Sequence, residues 1–386
     1  MANARKHPGY TDEHEALRRT VRGFVERELR PHVEAWEEAG EFPIELYAKA
    51  GELGLLGLGF PEDFGGTPVD HFARLVLTEE LCTVGAGGLI ASLMSHGIGL
   101  PPIMALGSDA LKQRIAPAVI AGEAISALAV TEPSGGSDVA NLKTTARLSD
   151  DGARYLVNGS KTFITSGMRA DWITTAVRTG DEGMQGISLL AIPGDAPGLT
   201  RTKLDKMGWW CSDTASLYFE DCEVPAANLI GAENTGFMGI MANFNNERMM
   251  LAAIALGMAR VCYDEALAWA RQRTTFGKPL VRHQVVRHKL VDMATAIRAL
   301  ECTLDDLAWR LDHGEVPIPD VCMAKNQATQ CVELCAKEAV QILGGAGYIR
   351  GVKSERIYRE TKVLSIGGGA EEIMKELAAR QLGYLH

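Results

Sequence analysis

The apolar positions of this chain change their period twice, and the changes divide it into three zones. The first zone, to about residue 123, has helical spacing. Leu17, Val21, Phe24, Val25 and Leu29 recur at helical steps. Thr11, ahead of Asp12 and Glu13, is the predicted N-cap. A second short helix is expected over Pro43 to Leu58. Phe60 to Pro68, FPEDFGGTP, reads as a turn-rich loop, and three more apolar-periodic segments follow. In the second zone, about 124 to 236, short β-branched runs alternate with turn residues. TTARL, SDDG and ARYLVNGSKTFITSG predict a hairpin with a second turn at Asn158-Gly159. WITTAVR and GISLLAI continue the pattern as a small β domain. The third zone, from Phe237, is helical again. Val286, Leu290, Met293, Ile297, Leu300, Leu304, Leu307 and Leu311 alternate steps of four and three, the a/d seam of a long bundle helix. The expected fold class is α+β, mainly α. A helical domain (1–123), a β domain (124–236) and a helical bundle (237–386) follow one another.

Composition narrows the function classes. With 46% hydrophobic residues in 386, the chain can build two or three packed layers. A net charge of −10 without a basic run argues against nucleic acid and anionic lipid as partners. No apolar run is long enough to span a bilayer, so integral membrane association is not expected. Met1 to Tyr10 mixes Arg5, Lys6, His7 and Pro8 with no apolar core behind them, unlike a secretory signal. The eight cysteines include no C-x-x-C pair and most sit in apolar segments. They read as reduced, packed thiols, which implies a cytoplasmic setting and no metal site.

Four features carry candidate chemistry. Ala129 to Asp138, AVTEPSGGSD, follows the apolar stretch Ile125 to Val130. Gly135 and Gly136 let backbone approach a flat ligand, and Thr131 and Ser137 add hydroxyls. Composition alone leaves an ordinary strand-to-strand turn equally open. Gln341 to Tyr348, QILGGAGY, closes an alanine- and cysteine-rich helix. One glycine would serve as a cap, whereas three within four residues suit something bulky against bare backbone. Arg271 to Lys278, followed by His283-Gln284, links two long helices. Its cations could pair a phosphate, but charge alone favours a solvated basic turn. Finally, Glu247 falls on the apolar stripe Ile240, Phe244, Leu251, Ile254, Met258 and Val261. A carboxylate facing a core is costly unless paired or given a task, and desolvation would raise its pKa toward that of a general base. A salt bridge to Arg248 or Arg260 is the alternative.

Taken in order, these motifs resemble the acyl-CoA dehydrogenase family over essentially the whole chain. AVTEPSGGSD is similar to the family's first signature, QILGGAGYIRGVKSERIYRE to its second, and RTTFGKPLVRHQ to its flavin-contacting inter-helix segment. The resemblance implies a C-terminal four-helix bundle, bound FAD, an acyl-CoA substrate, and a homotetramer in which paired subunits complete each flavin site. It implies that Leu128, Val130, Thr131, Gly136 and Ser137 line the flavin, with Ser137 near the thioester. Phe163, Ile164 and Thr165 match a second flavin-contacting strand, tryptophan being common at the Phe163 position. Arg273, Thr274, Phe276, His283, Gln284, Gln341, Gly344 and Gly345 would reach a neighbouring subunit's FAD. Gly369, Glu371 and Glu372 match a further flavin-contacting loop. Phe244, Asn245, Arg248 and Gly368 would face the substrate, Arg248 matching a CoA-contacting arginine.

Departures sharpen this picture. Many members carry the catalytic glutamate in a Tyr-Glu-Gly-Thr segment, which here reads Gly367-Gly368-Gly369-Ala370. A minority, isovaleryl- and long-chain-type enzymes among them, place the base on the first long bundle helix, at the position of Glu247. Gly351 and Asn141 stand where an acidic and a small residue are usual. The resemblance therefore implies α-proton abstraction by Glu247, hydride transfer to FAD, and electrons passed to an electron-transfer flavoprotein. Rival readings are an acyl-CoA oxidase, a flavin monooxygenase on the same fold, and a non-catalytic scaffold. Loss of two side chains at Gly367 and Gly368 is expected to open space for a long or branched acyl group in preference to butyryl-CoA.

Overall fold

The computed structural model describes residues 7–384. Among them, eight α-helices precede the sheet. These are α1 (Asp12–Phe24), α2 (Val33–Ala39), α3 (Glu45–Glu52), α4 (His71–Cys82), α5 (Gly87–Leu93), α6 (His96–Gly99), α7 (Pro101–Leu106) and α8 (Asp109–Ile120). Thr11 precedes α1 as expected, and its backbone N–H donates to His14 Nδ1 at 2.9 Å. The first apolar stripe continues past α1 as a π-helical turn, Val25–Leu29. The second expected helix is only α3: Gly54, at φ +71°, lies just beyond its end, and the chain to Leu58 is turn. The FPEDFGGTP loop contains one 3-10 turn, Glu62–Phe64, and a Leu58–Thr67 bridge. Five helices follow it rather than three segments, because α5, α6 and α7 are too short to display a period.

The strands are β1 (Ser126–Ala129), β2 (Thr145–Leu148), β3 (Arg154–Thr165), β4 (Trp172–Arg178), β5 (Ile187–Pro193), β6 (Leu199–Lys203), β7 (Thr214–Pro225) and β8 (Leu229–Ile230). They form one sheet in the order β6-β7-β3-β2-β4-β5-β8, with β1 parallel to β4. The β2–β3 hairpin turns at SDDG as expected. Asn158-Gly159 is not a turn. Strand β3 runs through it, and its register with β7 shifts between Val157 and Gly159. Gly159 has φ +142° there, and a Cβ on it would lie 2.7 Å from Thr144 Cα. Asn158 is tied to Asp221 by two side-chain bonds of 2.9 Å. Asn-Gly thus builds a bulge within a long strand.

Beyond the sheet, α9 (Gly236–Gln272) runs 37 residues. A two-stranded ribbon, β9 (Thr274–Thr275) with β10 (Lys278–Pro279), joins it to α10 (Gln284–Asp312). Helices α11 (Ile318–Leu343), α12 (Lys353–Ile366) and α13 (Glu371–Gln381) complete the bundle. The predicted α10 seam faces inward: Leu290 through Leu307 are buried, and Val286 and Leu311 pack at its ends. Seven cysteines are buried, Cys302 is exposed, and none is disulfide-bonded. Among the described residues no single helix is long and apolar enough to cross a membrane.

One buried ion pair connects the β1 exit loop to β3. Lys161 Nζ, fully buried, donates to Glu132 Oε1 at 2.9 Å and to the Val130 carbonyl at 3.0 Å. The Glu132 carboxylate also accepts the backbone N–H groups of Lys143 and Thr144, at 2.6 and 2.8 Å. Burial alone would raise this carboxyl; Lys161 and the donors outweigh it and hold it at about 2. At Lys161, with fewer partners, burial wins and lowers the ammonium to about 8. Removing one partner strands a buried charge. Lys161→Met is expected to destabilise the fold by about 3–5 kcal/mol in urea unfolding, and Glu132→Gln/Lys161→Met by less. An unchanged midpoint in the single variant would show that the pair does not anchor the loop. The Glu132 contribution is full above the ordinary carboxylate value of 4.5 and is lost as pH falls toward about 2.

Candidate active site

The stripe of α9 turns toward the loop between α12 and α13, and Glu247 lies where they meet. A Cβ built on Gly368 would stand 3.6 Å from Glu247 Oε1. A side chain at either position therefore reaches the same space. Glu247 Oε2 is enclosed and has no hydrogen-bond partner. Burial pushes the carboxyl up to about 7, against the pull of Arg248 and Lys325. The salt-bridge alternative does not hold among the described residues. Arg260 is bound by Glu79 at 2.6 Å and Glu301 at 2.8 Å. Arg248, itself buried, donates to the Gly368 carbonyl at 3.3 Å and to Asn245 Oδ1 at 3.1 Å. Its guanidinium lies 5.7 Å from the Phe244 ring centre.

The structure gathers Phe244, Asn245, Glu247, Arg248, Gly368 and Gly369 into one constellation. It corrects one expectation. The space beside Gly368 is not open, because its Cβ would meet Leu251 Cδ1 at 2.4 Å. Gly368 also has φ +66° and Gly369 φ +105°, a left-handed pair that favours glycine. Glu371 accepts from Gln330 and Lys375, at 2.8 and 2.7 Å, and Glu372 is exposed.

A second group lies on the sheet. Leu128 lies in β1, and the loop after the strand is fastened by the Glu132–Lys161 pair and by Thr162 N–H donating to the Thr131 carbonyl at 2.9 Å. Gly136 and Ser137 are exposed, Ile164 is buried, and Thr165 is half-buried. Phe163 stands 69% exposed with φ +62°. A Cβ on Gly135 would meet nothing within 4 Å. Bare backbone beside an uncovered aromatic suits a flat ring system, which fits a flavin.

The third group lies on the ribbon after α9 and at the end of α11. Arg273, Thr274 and Phe276 sit on the ribbon after α9, with Phe276 94% exposed at a turn of φ +49°. His283 Nε2 meets Thr275 Oγ1 at 3.2 Å, and Gln284 opens α10, exposed. The helical rise places this ribbon roughly 38 Å along α9 from Glu247. Gln341, Gly344 and Gly345 end α11 in the open, and the two glycines have nothing within 4 Å of a would-be Cβ. Sequence reasoning missed the buried Lys325, whose Nζ donates to the Gly369 carbonyl at 2.7 Å.

A helical domain, a sheet with exposed glycine loops and a helical bundle with an enclosed, unbonded oxygen of Glu247 are the parts of a flavin-dependent oxidoreductase. The domains described for acyl-CoA dehydrogenases match in order: N-terminal at residues 11–123, middle at 127–222, and C-terminal at 234–383. The chain belongs to the acyl-CoA dehydrogenase family, flavin oxidoreductases that use FAD and act on acyl-CoA. It is 36% identical to the long-chain specific acyl-CoA dehydrogenase of Rattus norvegicus mitochondria, over 97% of this chain and 87% of that one. It is 38% identical to an acyl-CoA dehydrogenase of Geobacillus kaustophilus of known structure, with a TM-score of 0.94 over 98% of this chain and all of that one. A chain from a structure described as the electron transferring flavoprotein of Acidaminococcus fermentans is 33% identical, with a TM-score of 0.93 over 98% of this chain and all of that one.

The raised carboxyl has a consequence for stability. An acid whose folded value lies above 4.5 costs stability as pH climbs from 4.5 to about 7, because the unfolded chain releases that proton more readily. Glu247→Gln should melt above the wild type at pH 8, with the gap narrowing toward pH 5 and closing below the ordinary value of 4.5. Equal melting temperatures at both values would show that Glu247 is not held in a desolvated site.

Proposed function

We propose that this chain is an acyl-CoA dehydrogenase whose α-proton base is Glu247. The reading rests on one observation above all: one carboxyl oxygen is enclosed and lacks a hydrogen-bond partner, and the group stands where a side chain at Gly368 would also reach. A base poised near neutrality can accept a proton at working pH. Bound FAD supplies the acceptor for the hydride that leaves the β-carbon. Leu128 to Ser137 and Phe163 to Thr165 would hold its ring, and Gly369 and the start of α13 a further edge. Phe244, Asn245 and Arg248 would border the thioester end of the substrate, with Ser137 opposite.

Arg273, Phe276, His283, Gln341, Gly344 and Gly345 serve the flavin of a second subunit in this reading, within a homotetramer. The exposure of Arg273, Phe276, Gln341, Gly344 and Gly345 supports it, as does the length of α9, which holds the ribbon far from Glu247. An electron-transfer flavoprotein takes the electrons onward. A long or branched acyl group is favoured, now on the relation to long-chain enzymes and not on an opening at Gly368, which Leu251 fills.

Glu247→Gln keeps the shape and cannot accept the proton. It should bind acyl-CoA yet bleach its flavin anaerobically at least about a hundredfold more slowly. Wild-type bleaching in that variant would make Glu247 a structural acid; rapid re-oxidation of the bleached enzyme in air would identify an oxidase instead. Arg273→Ala should lose FAD on gel filtration as a charge-assisted contact disappears. Full FAD retention by that variant, or by a stable monomer, would count against the shared site.

A further inference from the structure

Lys325 has an environment that a lysine rarely tolerates. Its side chain is fully buried on α11, and its Nζ donates to one backbone carbonyl, that of Gly369, at 2.7 Å. The nearest acid of α13, Glu371, is engaged with Gln330 and Lys375. An ammonium buried on a carbonyl alone is costly, so its position calls for a compensating role. Arg248 repeats the pattern from α9, buried and donating to the preceding carbonyl, Gly368. Asn326 Nδ2 donates to the Glu371 carbonyl at 3.0 Å. Three side chains thus fasten a loop whose two glycines hold left-handed dihedrals.

We infer that Lys325 is a positioning residue for α-proton abstraction: its buried charge keeps the Glu247 carboxyl ionised, and its hydrogen bond fixes the glycine loop beside it. The inference rests on Glu247 being the base. The charged and titratable groups around that carboxyl are few. Arg248 faces it from α9 and Lys325 from α11. Cys322 of α11 borders both cations, and Glu371 of α13 borders Lys325. Desolvation works against a charged base, and the two cations oppose it. Arg248 cannot be neutralised, whereas burial lowers Lys325 to about 8, so its contribution fades in mild alkali.

The test compares Lys325→Met with the wild type, both FAD-loaded and full length, by anaerobic flavin bleaching with octanoyl-CoA between pH 5.5 and 9.5. Without the ammonium, the midpoint should rise by about one unit, which cuts the rate at pH 7 about fivefold. The two profiles should converge above about pH 9, where the wild-type lysine has also lost its proton. Lys325→Arg should keep the wild-type midpoint. Melting gives a second readout independent of turnover: the stability gained on adding Glu247→Gln should be larger, and should level off at higher pH, in the Lys325→Met background. If Lys325→Met does not retain FAD, Lys325→Gln, which keeps a donor for the Gly369 carbonyl, carries the same comparison. An unmoved midpoint, or a rate depressed equally at every pH, overturns the inference. Wild-type bleaching by Glu247→Gln alone would overturn the base assignment instead, and the melting comparison would still report whether Lys325 and Glu247 are coupled.

Discussion

Desolvation of one carboxyl group organises the active end of this molecule. Glu247 lies on an apolar helix face with one oxygen enclosed and unbonded, and burial pushes its pKa up to about 7. A general base gains from that displacement up to the point where it would stay protonated at working pH. Arg248 and Lys325 set the limit, and both are aimed at carbonyls of the glycine loop. The same loop leaves position 368 without a side chain, so Leu251 and the Glu247 carboxyl occupy the space. Carboxyl, counter-charges and left-handed loop are therefore one packing solution.

The rest of the fold presents the other half of the site to it. The Glu132–Lys161 pair closes the β1 exit loop onto β3, and the glycine-rich backbone and Phe163 remain uncovered beside it. Holding bare backbone in place without its own side chains requires bonds from elsewhere, and Glu132 supplies them through two backbone N–H groups. The long α9 separates the acid from the ribbon that carries the exposed Phe276.

Much of this was legible in the sequence because it is written in periodicity. The α10 seam lies at the spacing read from it, and the acid on the α9 stripe stands out for the same reason. Lys325 obeys the same logic and could have been found: it interrupts the apolar face formed by Val321, Cys322, Ala328 and Val332. Other features have no local signal. Asn158-Gly159 has a turn's composition, yet tertiary pairing with β7 makes it a bulge. Helices α5 to α7 are too short for any period to emerge. That Leu251 fills the space beside Gly368 depends on how α9 meets the loop, which no spacing within either segment encodes.

The central claim is that Glu247 takes the α-proton, and α-hydrogen exchange measures that step apart from hydride transfer. A 3-thiaacyl-CoA has sulfur at the β-position and cannot give up a hydride there. Incubated with the FAD-loaded enzyme in D2O and followed by proton NMR, it should lose its α-hydrogen signal with the wild type. With Glu247→Gln the signal should persist, although the ligand still binds. Exchange at the wild-type rate in that variant would contradict the account.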